Sequence, residues 1–136
     1  MGAWSVDAFG NDDACDWAYE LEKTKDTSYV EATLSKVLLV GAECLEASEA
    51  CEGIAAAEVV ERMQGNFGLR DSYTETVDNW VTKLKITSNT ELNKKAHAVL
   101  DRVLSEPSEL LELWRDSDEY NDWKDSINNI KSRINI

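Results

Sequence analysis

Five carboxylates, Asp7, Asp12, Asp13, Asp16 and Glu20, fall within fourteen positions near the start of the chain, around the stretch "GNDDACDWAYELEK". Oxygen donors at this density suit hard cations, and a Mg²⁺ or Mn²⁺ ion held among them could activate water for hydrolysis. The Asp-x-Asp-x-Asp-Gly loop of an EF-hand is missing, however, and the spacing enforces no ligand geometry. A simpler chemistry fits the same residues. Asn11 or Asp12 makes a good N-cap, and the acids that follow sit in the first turns of a helix, where the positive end of the helix dipole favours them. Such a helix turns Ala14, Trp17, Ala18 and Leu21 inward and leaves Asp13, Asp16 and Glu20 on an adjoining face. No metal ligands and no cofactor are assigned on this pattern.

Other groups with chemical potential are few. Glu58 and Glu61 stand three residues apart in the apolar run "GIAAAEVVERMQG", so they can share one helix face as a carboxylate pair. Burial would raise their pKa, and Arg62 is the near basic group expected to answer them. The single histidine, His97, stands at the edge of a helical stripe with Asp101 one turn on. A His-Asp couple needs a nucleophile and a pocket to do acid-base work, and a boundary histidine paired with its i+4 neighbour is the plainer expectation. Cys15, Cys44 and Cys51 are odd in number and lack Cys-x-x-Cys spacing, which excludes a zinc knuckle and a disulfide framework and leaves small apolar fillers. No phosphate-cradling glycine loop, nucleophile elbow or pair of Glu-x-x-His motifs occurs, so no catalytic residue is assigned.

The elements that must position these groups read as helices throughout. Ser28-x-x-Glu31, Ser72-x-x-Glu75 and Ser88-x-x-Glu91 have the form of capping boxes. Behind them run apolar stripes at i, i+3, i+4, i+7 spacing: Val30, Leu34, Val37, Leu38, Gly41 and Leu45; Val77, Trp80, Val81 and Leu84; Leu92, Ala96, Val99, Leu100 and Val103. From Ala50 to Met63 small and apolar residues run almost round the circumference, which predicts a central helix packed on several neighbours and ended at Gly65. Pro107 is placed in the first turn of a short helix carrying Leu110, Leu111 and Trp114. Tyr120, Trp123, Ile127, Ile130 and Ile134 mark a last helix, and "GNFGLRDS" over residues 65–72 is the best loop. The expectation is one all-α domain spanning 1–136, with about five to seven helices around the Ala-rich one.

Composition narrows the partners. The net charge is −13 over 136 residues; residues 1–65 hold 14 acids against 4 bases, and residues 66–136 hold 13 against 10. A phosphate-binding surface needs clustered Lys and Arg, so nucleic acid and anionic membranes are disfavoured. A basic protein is the natural complement. There is no apolar run of membrane-spanning length, and "MGAWSVDAFGNDD" lacks the basic flank and apolar core of a signal peptide, which together suggest a cytoplasmic protein.

The opening "MGAWSVDAFGNDDACDWAYELE" resembles that of a bacterial family known as domain of unknown function 4259, which begins Trp-Gly-x-Gly-x-Phe-x-Asn-Asp-x-Ala-x-Asp-Trp. Trp4, Phe9, Asn11, Asp12, Ala14, Asp16 and Trp17 stand in matching places, while the two glycines of the pattern fall on Ser5 and Asp7. "AAAEVVERMQG" and "SELLELWRD" with the later Trp123 are similar to further stretches of that family. The resemblance implies a small helical domain and no particular activity. The leading reading is therefore a non-catalytic protein that binds a basic protein partner, for example in an immunity or antitoxin role, through Asp12, Asp13, Asp16 and Glu20. The alternative is a divalent-metal-assisted hydrolase built on the Asp7 to Glu20 carboxylates.

Overall fold

Asn11 opens the first helix in the way its chemistry allows. Its backbone is extended (φ −156°, ψ 158°), and its side-chain oxygen accepts a hydrogen bond from the Ala14 N–H at 2.8 Å. The helix that follows, α1 (Asp12–Glu22), buries Ala14, Trp17, Ala18 and Leu21, the stripe the spacing predicts. The structure is a computed structural model that describes residues 5–136 except residue 69. Trp4, the first aromatic of the family-like opening, lies outside the described residues.

Six more helices follow: α2 (Ser28–Leu39), α3 (Ala47–Met63), α4 (Glu75–Leu84), α5 (Thr90–Val103), α6 (Glu109–Arg115) and α7 (Tyr120–Arg133). No strand occurs among the described residues; an isolated parallel bridge joins Leu45 to Ser108. The fold is all-α, and α3 is its axis. Within α3, every residue from Ala50 to Met63 except Glu52 is buried. It packs against each of the other six helices. Small side chains make this crowding feasible. A Cβ on Gly53 would stand 2.9 Å from a methyl of Val37 on α2 and 3.0 Å from one of Val99 on α5, so glycine lets three helices meet at that level.

Tryptophans join the outer segments to one another. Trp17 stacks on Tyr29 with ring centroids 5.3 Å apart and donates to Thr33 Oγ1 at 2.8 Å, joining α1 to α2. Trp80 donates to the Thr24 carbonyl at 2.9 Å, and Trp114 stacks on Trp123 at 6.0 Å, joining α6 to α7. The Trp17 and Trp80 indoles thus bury their rings while their N–H groups stay satisfied.

Several local expectations are corrected. None of the three Ser-x-x-Glu motifs caps by its serine. Ser28 lies inside α2, and Asp26 accepts from its N–H at 3.0 Å. Asp71 accepts from the N–H groups of Tyr73 and Thr74 ahead of α4. Asn89 caps α5 through the Leu92 N–H at 2.8 Å. In each case a neighbouring Asp or Asn, with a stronger carbonyl-type acceptor, displaces the hydroxyl. Gly41 is no part of a stripe: α2 stops at Leu39, and Gly41 turns the chain at φ 62°. Pro107 precedes α6, whose N-cap is Ser108, and its carbonyl accepts from Leu45 N–H at 3.1 Å. Of the three thiols, Cys51 is buried, Cys15 half-buried and Cys44 exposed, so only the first is the apolar filler expected.

Candidate functional site

The acids of α1 all face solvent. Asp12, Asp13, Asp16 and Glu20 are exposed, and at 3.6 residues per turn they span an arc of about 100° on one side of the helix. Tyr19 stands at the edge of the same arc with 59% of its surface exposed. Among the described residues only Glu20 of the four is in an ion pair, with Lys23 at 3.1 Å on the surface. Asp13 and Glu52 together help push the buried Cys51 thiol up to about 12, after burial itself. Burial, then Asp12, Asp16 and Asp71, raises Cys15 as well. These fields make both thiols poor nucleophiles. No three His, Cys, Asp or Glu side chains among the described residues are disposed to hold a metal ion together. The helix that exposes the four acids also spreads them along its surface, and a shared ligand shell needs convergence.

The second group of acids lies inside. Arg62 has no exposed side-chain surface and gathers three carboxyl groups. Its Nη1 donates to Glu58 Oε1 and, at 3.2 Å, to Glu61 Oε2, while its Nε donates to Asp78 Oδ1 at 2.6 Å. Thr74 Oγ1 donates to the other Asp78 oxygen at 2.8 Å. From α7, Arg133 Nε donates to Glu61 Oε1. Arg70 closes the outside, 3.6 Å from Asp78 and with its guanidinium 4.6 Å from the centre of the Phe67 ring. Burial would lower the Arg62 pKa, but Glu58 and Asp78 outweigh it and hold the guanidinium above its ordinary value. Burial raises Glu61 to about 8; the Glu58 charge adds to this, and Arg133 opposes it.

The loop after α3 is shaped to cover this network. A Cβ on Gly68 would lie 2.6 Å from Arg133 Nη2 and 3.2 Å from Glu58 Oε1, so only glycine lets the backbone pass there. The end of α7 is clasped from both sides. Asn66 donates to the Arg133 carbonyl at 2.9 Å, Gln64 exchanges hydrogen bonds with the Asn135 backbone, and His97 Nε2 lies 2.7 Å from the Ile134 carbonyl. His97 and Asp101 form no couple: Asp101 accepts instead from Lys131 of α7.

Beside the network opens a cleft of about 360 Å³, lined by the N-terminal arm (Ser5, Asp7, Phe9), Glu58, Asp71 and Arg133, with side chains of the α4 entry and α7. The arm is held to α7 by Ser126 Oγ, which donates to the Val6 carbonyl at 3.0 Å. Glu58 is 5% exposed, and its Oε2 has no hydrogen-bond partner among the described residues. Asp7 lies on this wall, apart from the acids of α1.

The sequence pointed to Glu58, Glu61 and Arg62 but not to Asp78, Arg70 or Arg133. The only signal for Asp78 was a charge at the edge of the α4 stripe. Nothing in local spacing brings Arg133 to Glu61, 72 positions earlier.

No curated protein and no solved structure matches the chain. Residues 2–126 match the family model described as domain of unknown function (DUF4259), a span that takes in the arm, Glu58, Glu61, Arg62 and Asp78 of the charge network though not Arg133, and both stacked tryptophans of α6 and α7, and the chain belongs to that family.

Proposed function

We propose that the protein works by binding, and that the exposed acidic face of α1 docks a cationic surface of a partner protein. The observation that carries this reading is the arc of Asp12, Asp13, Asp16 and Glu20 with Tyr19 at its edge. Exposed carboxylates steer a basic partner by charge, and an exposed tyrosine supplies an anchoring ring that also attracts Lys and Arg. An immunity- or antitoxin-type protein that masks a basic enzyme is a concrete form of this role. Metal-assisted hydrolysis draws no support from the same acids, since no three His, Cys, Asp or Glu among the described residues are grouped so that they could hold a metal ion.

The test is capture from an extract of the native host by the wild-type chain and by a variant carrying Asp12→Asn, Asp13→Asn, Asp16→Asn and Glu20→Gln. A basic protein retained by the wild type, released by salt and not retained by the variant is the expected result. Retention of the same protein by both chains, or of none by either, would overturn the proposal.

A further inference from the structure

The acidic face of α1 leads into a groove. Asp13 and Glu20 stand four residues before and three residues after Trp17, so both are its neighbours on the helix surface. At Trp17 a groove of about 190 Å³ opens between α1, α2 and α3. Trp17, Tyr29, Ala32 and Val37 give it apolar walls, and Glu49 and Glu52 add carboxylates from α3. Tyr29 is half-buried and has one ring face stacked on Trp17, which fixes the ring at the groove. Burial raises the Glu52 pKa; Lys36 opposes this, while Asp13 and Glu49 add to it. Glu52 and then Glu20 likewise add to the effect of burial on the Tyr29 hydroxyl, so the fields of all four acids meet at the groove. Among the described residues Asp13, Glu49 and Glu52 enter no ion pair, and Glu20 has the surface Lys23. Against these acids the groove presents one base, Lys36, exposed on α2. Its volume falls below the roughly 300 Å³ at which clefts for whole small ligands begin, and suits a single side chain.

We infer that this groove receives one arginine side chain of the basic partner, its guanidinium lying against the Tyr29 ring and donating to Glu52, with Asp13, Glu20 and Glu49 completing the negative surround. The inference rests on the docking role proposed for α1 and names the residue type that anchors it. A planar guanidinium combines a stacking face with a fork of donors, and an aromatic wall beside a carboxylate uses both; a lysine ammonium brings the charge without the plane. An apolar side chain in the same place would strip water from Glu52 and supply no donor. Lys36, outside any ion pair among the described residues, is the resident cation that the arginine displaces.

NMR titration of the intact, isotope-labelled chain at about 0.15 M salt tests this, with the peptide acetyl-Gly-Arg-Gly-Arg-Gly-amide and its lysine and citrulline counterparts as probes. Saturable shifts centred on Tyr29, Thr33, Lys36 and Glu52 are expected with the arginine peptide, weaker binding with lysine and none with citrulline. Glu52→Gln should weaken binding by about tenfold, the scale of one charge-assisted hydrogen bond. Ala32→Lys, at an exposed position of α2, puts a rival ammonium at the groove and should weaken it too, whereas Lys36→Gln removes the resident one and should strengthen it. No saturable shift, shifts spread evenly over the acidic surface, equal binding of the lysine peptide, or binding untouched by Ala32→Lys and Lys36→Gln would overturn the inference. Both α2 variants leave Asp12, Asp13, Asp16 and Glu20 in place, which separates the groove from the docking role. A host protein lost with the four α1 acids but held equally by the wild type and Ala32→Lys would overturn the groove as anchor and leave the docking face standing. Arginine-selective filling of the groove, with no host protein retained by any chain, would support the groove and overturn the docking role.

Discussion

Glu61 has no exposed surface, shares Arg62 with Glu58 and is reached by Arg133 from α7. With its pKa raised to about 8, it holds a proton more firmly in the folded chain than in the unfolded one. A carboxyl shifted upward favours folding most fully below its ordinary range, and that contribution is lost as pH rises through the folded value. Stability supplied by this group should therefore decline between about pH 4.5 and pH 8. Glu61→Gln keeps the shape and removes the titration, so its melting temperature should fall less steeply across that window than the wild type's; parallel profiles would show that Glu61 does not titrate there. Arg62 is a different matter. A buried pair is weak support for stability in itself, but removing one partner strands the rest, at a cost of about 3–5 kcal/mol. Arg62 faces three carboxyl groups, so the network acts mainly as a fixed connection among α3, α4 and α7.

At the level of elements, α3 decides where everything else sits. Its small residues admit neighbours closely, and Gly53 is the tightest point. Gly53→Ala would gain helix propensity, about 1 kcal/mol. It would also force a methyl against Val37 and Val99, whose branched side chains have little freedom to retreat. Overpacking of this kind costs about 1–3 kcal/mol, so a net loss of stability in urea denaturation is expected, and a gain would show that α2 and α5 can yield. The helix starts teach a related lesson. Ser28, Ser72 and Ser88 signalled where helices begin, yet Asp26, Asp71 and Asn89 supply the acceptors. The stripes survived these shifts because burial of a whole face outweighs the choice of one cap.

For the whole molecule, charge is the dominant property. A net charge of −13 repels itself in the compact state. Raising the salt from about 0.05 M to about 0.5 M shortens the screening length several-fold, and the melting temperature should rise by about 2–4 °C for each kcal/mol of repulsion removed. A fall would mean that exposed ion pairs such as Lys131 with Asp101 matter more than the repulsion. The all-α class, the stripes, the inward Trp17 and the Ala-rich axis were legible in the sequence, since helical periodicity records which face meets the core. The Glu58, Glu61 and Arg62 cluster was legible for the same reason, because three charged residues interrupt an otherwise apolar circumference. Asp78, Arg133, the arm over Glu58 and the cleft between them were not, because they arise from contacts between segments far apart in the chain, and no local period encodes such a distance. The α1 acids show the division at a single element: their spacing determined that they share one face, and only the packing of α1 against α3 and α4 decided that this face is the exposed one.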